Sequence, residues 1–106
     1  MREQIRIYTI NKGALAQFVA EWHEKIRPLR EKLGFRIVGA WTVEATSQFV
    51  WVMRYEGDAA WEVQDRAYFD SAERRAMAPD PGRLIARMEQ YFADPVLEEM
   101  VRNNVM

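Results

Sequence analysis

Two runs of β-forming residues, separated by a short polar stretch, dominate the middle of this 106-residue sequence. Positions 36–43 and 49–55 are rich in Val, Ile, Trp, Phe and Tyr, which favour a pleated, at least half-buried surface. Positions 44–48 between them are polar and predict the turn of a β-hairpin. Apolar residues occupy both alternating sets of positions, so each face should contact something: helices on one side, a partner sheet or ligand on the other. The alternation does not decide which set faces the helices.

A long helix is predicted before the hairpin. Apolar residues recur at helical spacing along one stripe through positions 14–33. Pro28 lies inside this pattern, and proline removes one backbone hydrogen bond and clashes with the preceding turn. We therefore expect the helix to bend or break near residues 24–27. Gly34 is expected to cap its C-terminus.

The remaining elements are shorter. Residues 5–10 alternate as a strand. Asp58 is expected to cap a second helix, and Ser71 a short helical turn over residues 72–77. A last strand is predicted over residues 87–93. The buried stripe of the second helix would comprise Ala60, Trp61, Gln64, Ala67 and Tyr68.

The order strand, helix, strand, strand, helix, strand is the βαββαβ pattern of ferredoxin-like α+β domains. Residues 1–106 are expected to form one such domain, with helices on one face of an antiparallel sheet. The other face would expose more aromatic and aliphatic surface than a soluble monomer tolerates. The pattern therefore predicts a homodimer that stacks the two open sheet faces.

Charge and composition exclude several classes of protein. The chain has 15 basic and 16 acidic residues, and their interleaving predicts a solvated face over residues 21–32. Nucleic-acid binding requires a concentrated basic surface, which the sequence lacks. The chain has no cysteine, no signal-like N-terminus and no apolar run long enough for a membrane span, so a cytoplasmic protein is expected.

His23 is the single histidine, which excludes a two-histidine metal site and a Ser/His/Asp triad. No metal site or cofactor is predicted. The helical spacing puts His23 on the flank of the buried stripe. Three roles stay open for it: a boundary residue bonded to a neighbour, an acid, base or polar contact in a cavity, or an axial haem ligand.

The aromatic residues are more numerous than a small core requires. They can serve core and dimer packing, or they can form the walls of a flat pocket for an aromatic molecule. They include Trp22, Trp41, Trp51, Trp61, Tyr8, Tyr55 and Tyr68.

Two arginines, Arg6 and Arg54, fall inside predicted strands, where a guanidinium must find an acceptor. Glu44 and Glu56 are possible partners by position, and the alternatives are a structural ion pair or anion recognition. Gln64 in the second apolar stripe needs hydrogen bonds for the same reason. The acidic residues Glu62, Asp65, Asp70 and Glu73 are interpreted as surface carboxylates of a helix.

Four separated segments resemble the NIPSNAP family: IRIYTINKG, PLREKLGFRIVGAW, FVWVMRYEG and SAERRAMAPDP. The resemblance spans about residues 4–95. It implies a protomer of the dimeric α+β barrel superfamily, a homodimer with stacked sheets and a cavity between sheet and helices. Superfamily relatives include cofactor-free oxygenases, decarboxylases, haem proteins and binding proteins, so the fold alone does not choose an activity.

Three functions remain open from the sequence. The first is a homodimer that binds a small apolar or aromatic molecule. The second is a cofactor-independent monooxygenase or related tailoring enzyme in which His23 is catalytic. The third is a structural or regulatory dimer whose aromatic residues serve the interface. The candidate ligand-binding residues are Tyr8, Trp22, Trp41, Trp51, Gln64 and Arg6.

Overall fold

The computed structural model describes residues 2–97, which form a four-stranded antiparallel sheet with helices on one face. The strand order is β2–β3–β1–β4, the ferredoxin-like arrangement of an α+β domain that the element order predicted. The strands are β1 Glu3–Ile10, β2 Phe35–Val43, β3 Gln48–Tyr55 and β4 Ile85–Ala93.

Short helices connect the strands. The helices are α1 Leu15–Glu21, α2 Arg27–Lys32, α3 Trp61–Asp70 and α4 Ala72–Arg75. Turns of 3₁₀-helix cover Glu44–Thr46 and Pro81–Leu84. Among residues 2–97, no helix is long and apolar enough to cross a membrane.

The predicted interruption around Pro28 is present. A π-helical turn, Trp22–Ile26, joins α1 to α2, and the Arg27 backbone N–H bonds the Trp22 carbonyl five residues back. Pro28 then lies in the first turn of α2, directly after the π turn. The wider turn removes the clash that proline would impose on a continuous α-helix. The predicted break is therefore confirmed.

The helix-facing side of the sheet forms the core. From the two central strands it receives Tyr8, Ile10, Phe49, Trp51 and Met53, all buried. The helices add Phe18, Trp22, Ile26, Leu29 and Tyr68. The opposite set of strand positions, including Ile5 and Val52, has no helix above it.

A bulge in β2 changes which residues share a face. The pairing with β3 shifts register between Ile37 and Gly39, so Val38 is the extra residue. As a result Ile37 faces the helices, whereas Gly39 and Trp41 lie on the open face. The Trp41 ring lies against Gly39, where an added Cβ would be 2.6 Å from the ring.

Several local predictions were confirmed. Gly34 ends α2 with a φ of +92°, and Ser71 caps α4 by accepting from the Arg74 N–H at 3.1 Å.

Others were wrong. The N-cap of α3 is Ala60 and not Asp58, and Ala67 of the predicted stripe is exposed. The charged stretch 21–32 is not uniformly solvated, because Glu21 and Arg30 are buried.

Candidate functional site

A cavity of about 340 Å³ opens between the helix-facing side of β1, β3 and β4 and the residues of α2, α3 and α4 that cover it. Aromatic rings and arginines dominate its wall. Its lining comprises Arg6, Tyr8, Ile26, Arg30, Trp51, Tyr68, Phe69, Arg74, Gly82, Ile85, Ala86, Arg87 and Met88.

Two buried arginines of this wall share one carboxylate oxygen. Arg6 Nη2 donates to Asp65 Oδ1 at 3.0 Å, and Arg30 Nη1 donates to the same atom at 2.8 Å. The side chains of Arg6 and Arg30 are 2% and 1% exposed, whereas that of Asp65 is 22% exposed. Arg6 Nε also donates to Gln4 Oε1 at 2.7 Å. Asp65 therefore joins β1, α2 and α3.

Aromatic rings hold the Arg30 guanidinium in place. Its Cζ lies 3.7 Å from the Tyr68 ring centroid and 4.8 Å from that of Phe35. Burial lowers the pKa of Arg30 and the nearby Arg6 charge lowers it further, while Asp65 opposes both effects. The cation is thus strongly desolvated but remains charged at neutral pH.

A third arginine, Arg74, lies beside the same rings, with its Cζ 6.0 Å from the Tyr68 centroid and 5.8 Å from that of Phe69. Arg74 Nη2 pairs with Asp80 Oδ1 at 3.0 Å. The Nε atoms of Arg30 and Arg74 are buried and have no hydrogen-bond partner. Burial raises the pKa of Tyr68, although the charges of Arg30 and Arg74 act in the opposite direction. The cavity wall therefore contains two arginines whose Nε donors are unsatisfied, beside a protonated phenol.

Three of the residues predicted to bind a ligand meet at this cavity: Arg6, Tyr8 and Trp51. Tyr8 contacts Trp51 edge-on, with their ring centroids 6.2 Å apart. One cationic and two aromatic side chains that were predicted to bind a ligand therefore lie in the same cavity wall.

Three other predicted residues line a different groove, of about 380 Å³, along β2: Trp22, His23 and Trp41. His23 is exposed, and its ring lies 5.1 Å from that of buried Trp22. Trp41 borders the groove from the edge strand. Gln64 lies apart from both sites, because its Nε2 donates to the Leu33 carbonyl at 2.7 Å and ties α3 to the end of α2. The structure thus separates His23 from the arginine cavity.

The partners expected for the strand arginines are correct in one case and wrong in the other. Arg6 pairs with Asp65, and not with Glu44. Arg54 pairs with the predicted Glu56 at 3.9 Å, and more closely with Glu3 at 2.8 Å. Glu44 belongs to the hairpin turn, which lies at the far end of the strand from Arg54.

Sequence reasoning missed Arg30, Asp65 and Phe69. Arg30 and Asp65 belong to charged stretches that resemble solvated helix faces. A signal for Asp65 existed in its position next to Gln64 on the predicted inner stripe, where a carboxylate can serve a strand arginine. No similar signal marked Phe69. Among residues 2–97, no group of three or more His, Asp or Glu side chains could hold a metal ion.

The NIPSNAP family model matches residues 3–97. This chain belongs to the NIPSNAP family. An uncharacterised NIPSNAP domain protein from Burkholderia xenovorans has a similar structure, with a TM-score of 0.79 at 18% identity over 92% of this chain and 97% of that one. A NIPSNAP family protein from Agrobacterium tumefaciens also gives 0.79, at 16% identity over 90% and 92% of the two chains.

More distant structures share only the fold with this NIPSNAP family member. A putative antibiotic biosynthesis monooxygenase from Nitrosomonas europaea superimposes with a TM-score of 0.65 at 10% identity, over 92% of this chain and all (100%) of that one. A comparison with curated protein sequences found no match.

Proposed function

We propose that this NIPSNAP family member is a homodimer that binds a small, largely aromatic or apolar molecule in the cavity between sheet and helices. The observation that carries the proposal is the cavity wall, where Tyr8, Trp51, Tyr68 and Phe69 provide flat apolar surfaces. Its volume of about 340 Å³ lies at the lower end of the roughly 300–1,000 Å³ typical of ligand pockets, which suits a compact molecule.

The lining favours binding over turnover. Its described residues include neither a histidine nor a carboxylate, and His23 lies in the separate groove along β2. The raised pKa of Tyr68 keeps its hydroxyl protonated at neutral pH, so this phenol is a poor base. Proton abstraction from a bound molecule would therefore lack an obvious acceptor among these residues.

A second copy of the chain is the proposed occupant of the open sheet face. Trp41 and Tyr91 on that face are 55% and 54% exposed, beside the half-buried Ile7 and Val50. Apolar cores rich in aromatic residues are typical of protein interfaces. The superfamily that the sequence resembles pairs such sheets face to face, and a two-fold contact lets one surface serve both partners.

Native mass spectrometry of freshly purified protein tests the binding function by detecting a retained metabolite. Met88→Trp is the informative variant, since Met88 lines the cavity mouth and a larger ring there would fill it. Val63→Trp adds the same ring to the exposed side of α3 and is the matched control. We expect retained ligand in wild-type protein and in the control, and none in Met88→Trp. Equal retention in all three proteins would refute the cavity as the binding site.

A further inference from the structure

The arginines of the cavity carry more positive charge than the adjacent carboxylates balance. Arg6 and Arg30 share the single carboxylate of Asp65, whereas Arg74 forms its own ion pair with Asp80. Within residues 2–97, no other carboxylate is recorded at ion-pair distance from Arg6 or Arg30. One positive charge is therefore left over among these side chains, of which Arg6 and Arg30 are buried. A buried charge without a counterion is costly, so a bound anion would be strongly favoured.

Unused hydrogen-bond donors accompany this charge. Arg30 Nε is buried without a partner, on a side chain that is only 1% exposed and lines the cavity. Arg74 Nε is buried without a partner as well. Buried polar atoms are nearly always bonded in folded proteins, so both guanidiniums retain unsatisfied hydrogen-bonding capacity next to the cavity.

We infer that the cavity binds molecules that carry a single carboxylate on a flat apolar body, with the carboxylate against Arg30 and the body against the aromatic wall. This inference rests on the proposed function and names the class of ligand. One carboxylate carries the one negative charge that the site lacks. Its two oxygens also suit the fixed, planar donors of a guanidinium.

The aromatic contacts favour a carboxylate over a doubly charged phosphate. Arg30 is stacked against Tyr68 and lies 5.4 Å from the Phe69 centroid, so its free edge is held beside apolar rings. A phosphate dianion would exceed the excess charge by one and would bring a larger hydration shell into this wall. An arylcarboxylate places its ring against Phe69 and Met88 while its charge meets Arg30.

Matched pairs of carboxylates and primary amides test the inference. The probes are benzoate with benzamide, phenylacetate with phenylacetamide, and hexanoate with hexanamide, titrated against tryptophan fluorescence because Trp51 lines the cavity. We expect at least one carboxylate to bind at least about tenfold more tightly than its amide, the effect of one charge-assisted hydrogen bond. Equal affinities within every pair, or no binding by any carboxylate, would overturn the inference.

Two variants localise the effect. Arg30→Met removes the excess charge while leaving Arg6 paired with Asp65, and it should abolish the preference for the carboxylate. Arg27→Met, on the exposed side of α2, should retain it. A preference that survives in Arg30→Met overturns the inference, and if that variant does not fold, the wild-type pairs decide alone. If the amides bind wild-type protein as well as the acids do but do not bind Met88→Trp, the carboxylate preference is refuted and the cavity is supported as the binding site. If the acids bind Met88→Trp as tightly as wild type, the cavity is refuted as the binding site.

Discussion

Arg6 and Arg30 approach the same atom, Asp65 Oδ1, from two different elements of the fold. Arg6 reaches it from β1 and Arg30 from α2, while the carboxylate itself belongs to α3. The two like charges are held close together by one shared acceptor, which explains why Arg6 lowers the pKa of Arg30. The ion-pair cluster is therefore both a structural joint and the charged end of the cavity.

Asp65→Asn should destabilise the protein strongly. Removing the carboxylate leaves two buried guanidiniums without a counterion, and breaking a buried ion pair in this way costs about 3–5 kcal/mol. Urea unfolding measures the change in the free energy of unfolding. Asp70→Asn is the control, because Asp70 is exposed and lies 3.8 Å from exposed Arg75, and we expect a change within about 0.5 kcal/mol. Similar losses in both variants would show that Asp65 does not hold the arginines.

The pair between Glu21 and Arg83 should make stability depend on acid pH. Arg83 donates to both carboxylate oxygens of Glu21, at 2.8 and 2.9 Å, and these bonds outweigh burial and lower the pKa of Glu21 from its ordinary value of 4.5 to about 2. When folding lowers the pKa of a carboxyl group, that group stabilises the protein, and its full contribution is present at pH values above its pKa in the unfolded chain. This contribution is lost as the pH falls through the interval from 4.5 to about 2.

The measurement is the difference in unfolding free energy between wild type and Glu21→Gln, followed from neutral pH down to about pH 2. We expect the difference to be constant near neutrality and to shrink below the unfolded pKa. Glu31→Gln removes a half-exposed partner of Arg27 at 3.5 Å and should give a small difference throughout. A Glu21→Gln difference that does not change with pH would contradict the assignment.

Periodicity predicted the frame of the fold because each strand and helix buries one regular face. The helix stripe counted from Leu15 continues through the π turn, because Ile26 and Leu29 are buried as predicted. Alternation along a strand, by contrast, does not show where an inserted residue changes the register. In β2 the extra residue Val38 switches the faces of the residues after it, which a strict alternation does not reveal.

The candidate site was only partly predictable for a different reason. Arg6, Tyr8 and Trp51 were identifiable because a cation and large rings inside strands need specific surroundings. Asp65 has the same local sequence character as the exposed Glu62 and Asp70 of its helix. What distinguishes it is its contact with β1 and α2, which depends on tertiary packing.

Pro28→Ala should change stability little, because the π turn already accommodates the proline. We expect a change within about 1 kcal/mol, in contrast to the roughly 3 kcal/mol that proline costs inside a regular helix. The converse control is Ala20→Pro in α1, an exposed position without a π turn before it, which should lose about 3 kcal/mol. Urea unfolding measures the stability of both variants. If Pro28→Ala were more stable than wild type by about 3 kcal/mol, the proline would be straining the native helix.

Disruption of the open sheet face should separate the proposed dimer into monomers. Trp41→Glu and Tyr91→Glu each place a charge on the face proposed to meet the second copy, where it would be buried without a partner. Val63→Glu adds the same charge to exposed α3 and should leave the assembly intact. Sedimentation velocity at micromolar concentration distinguishes the two states. If wild-type protein sediments as a monomer, or if the sheet-face variants remain dimeric, the open face is not the interface, and its exposed aromatic residues require another partner.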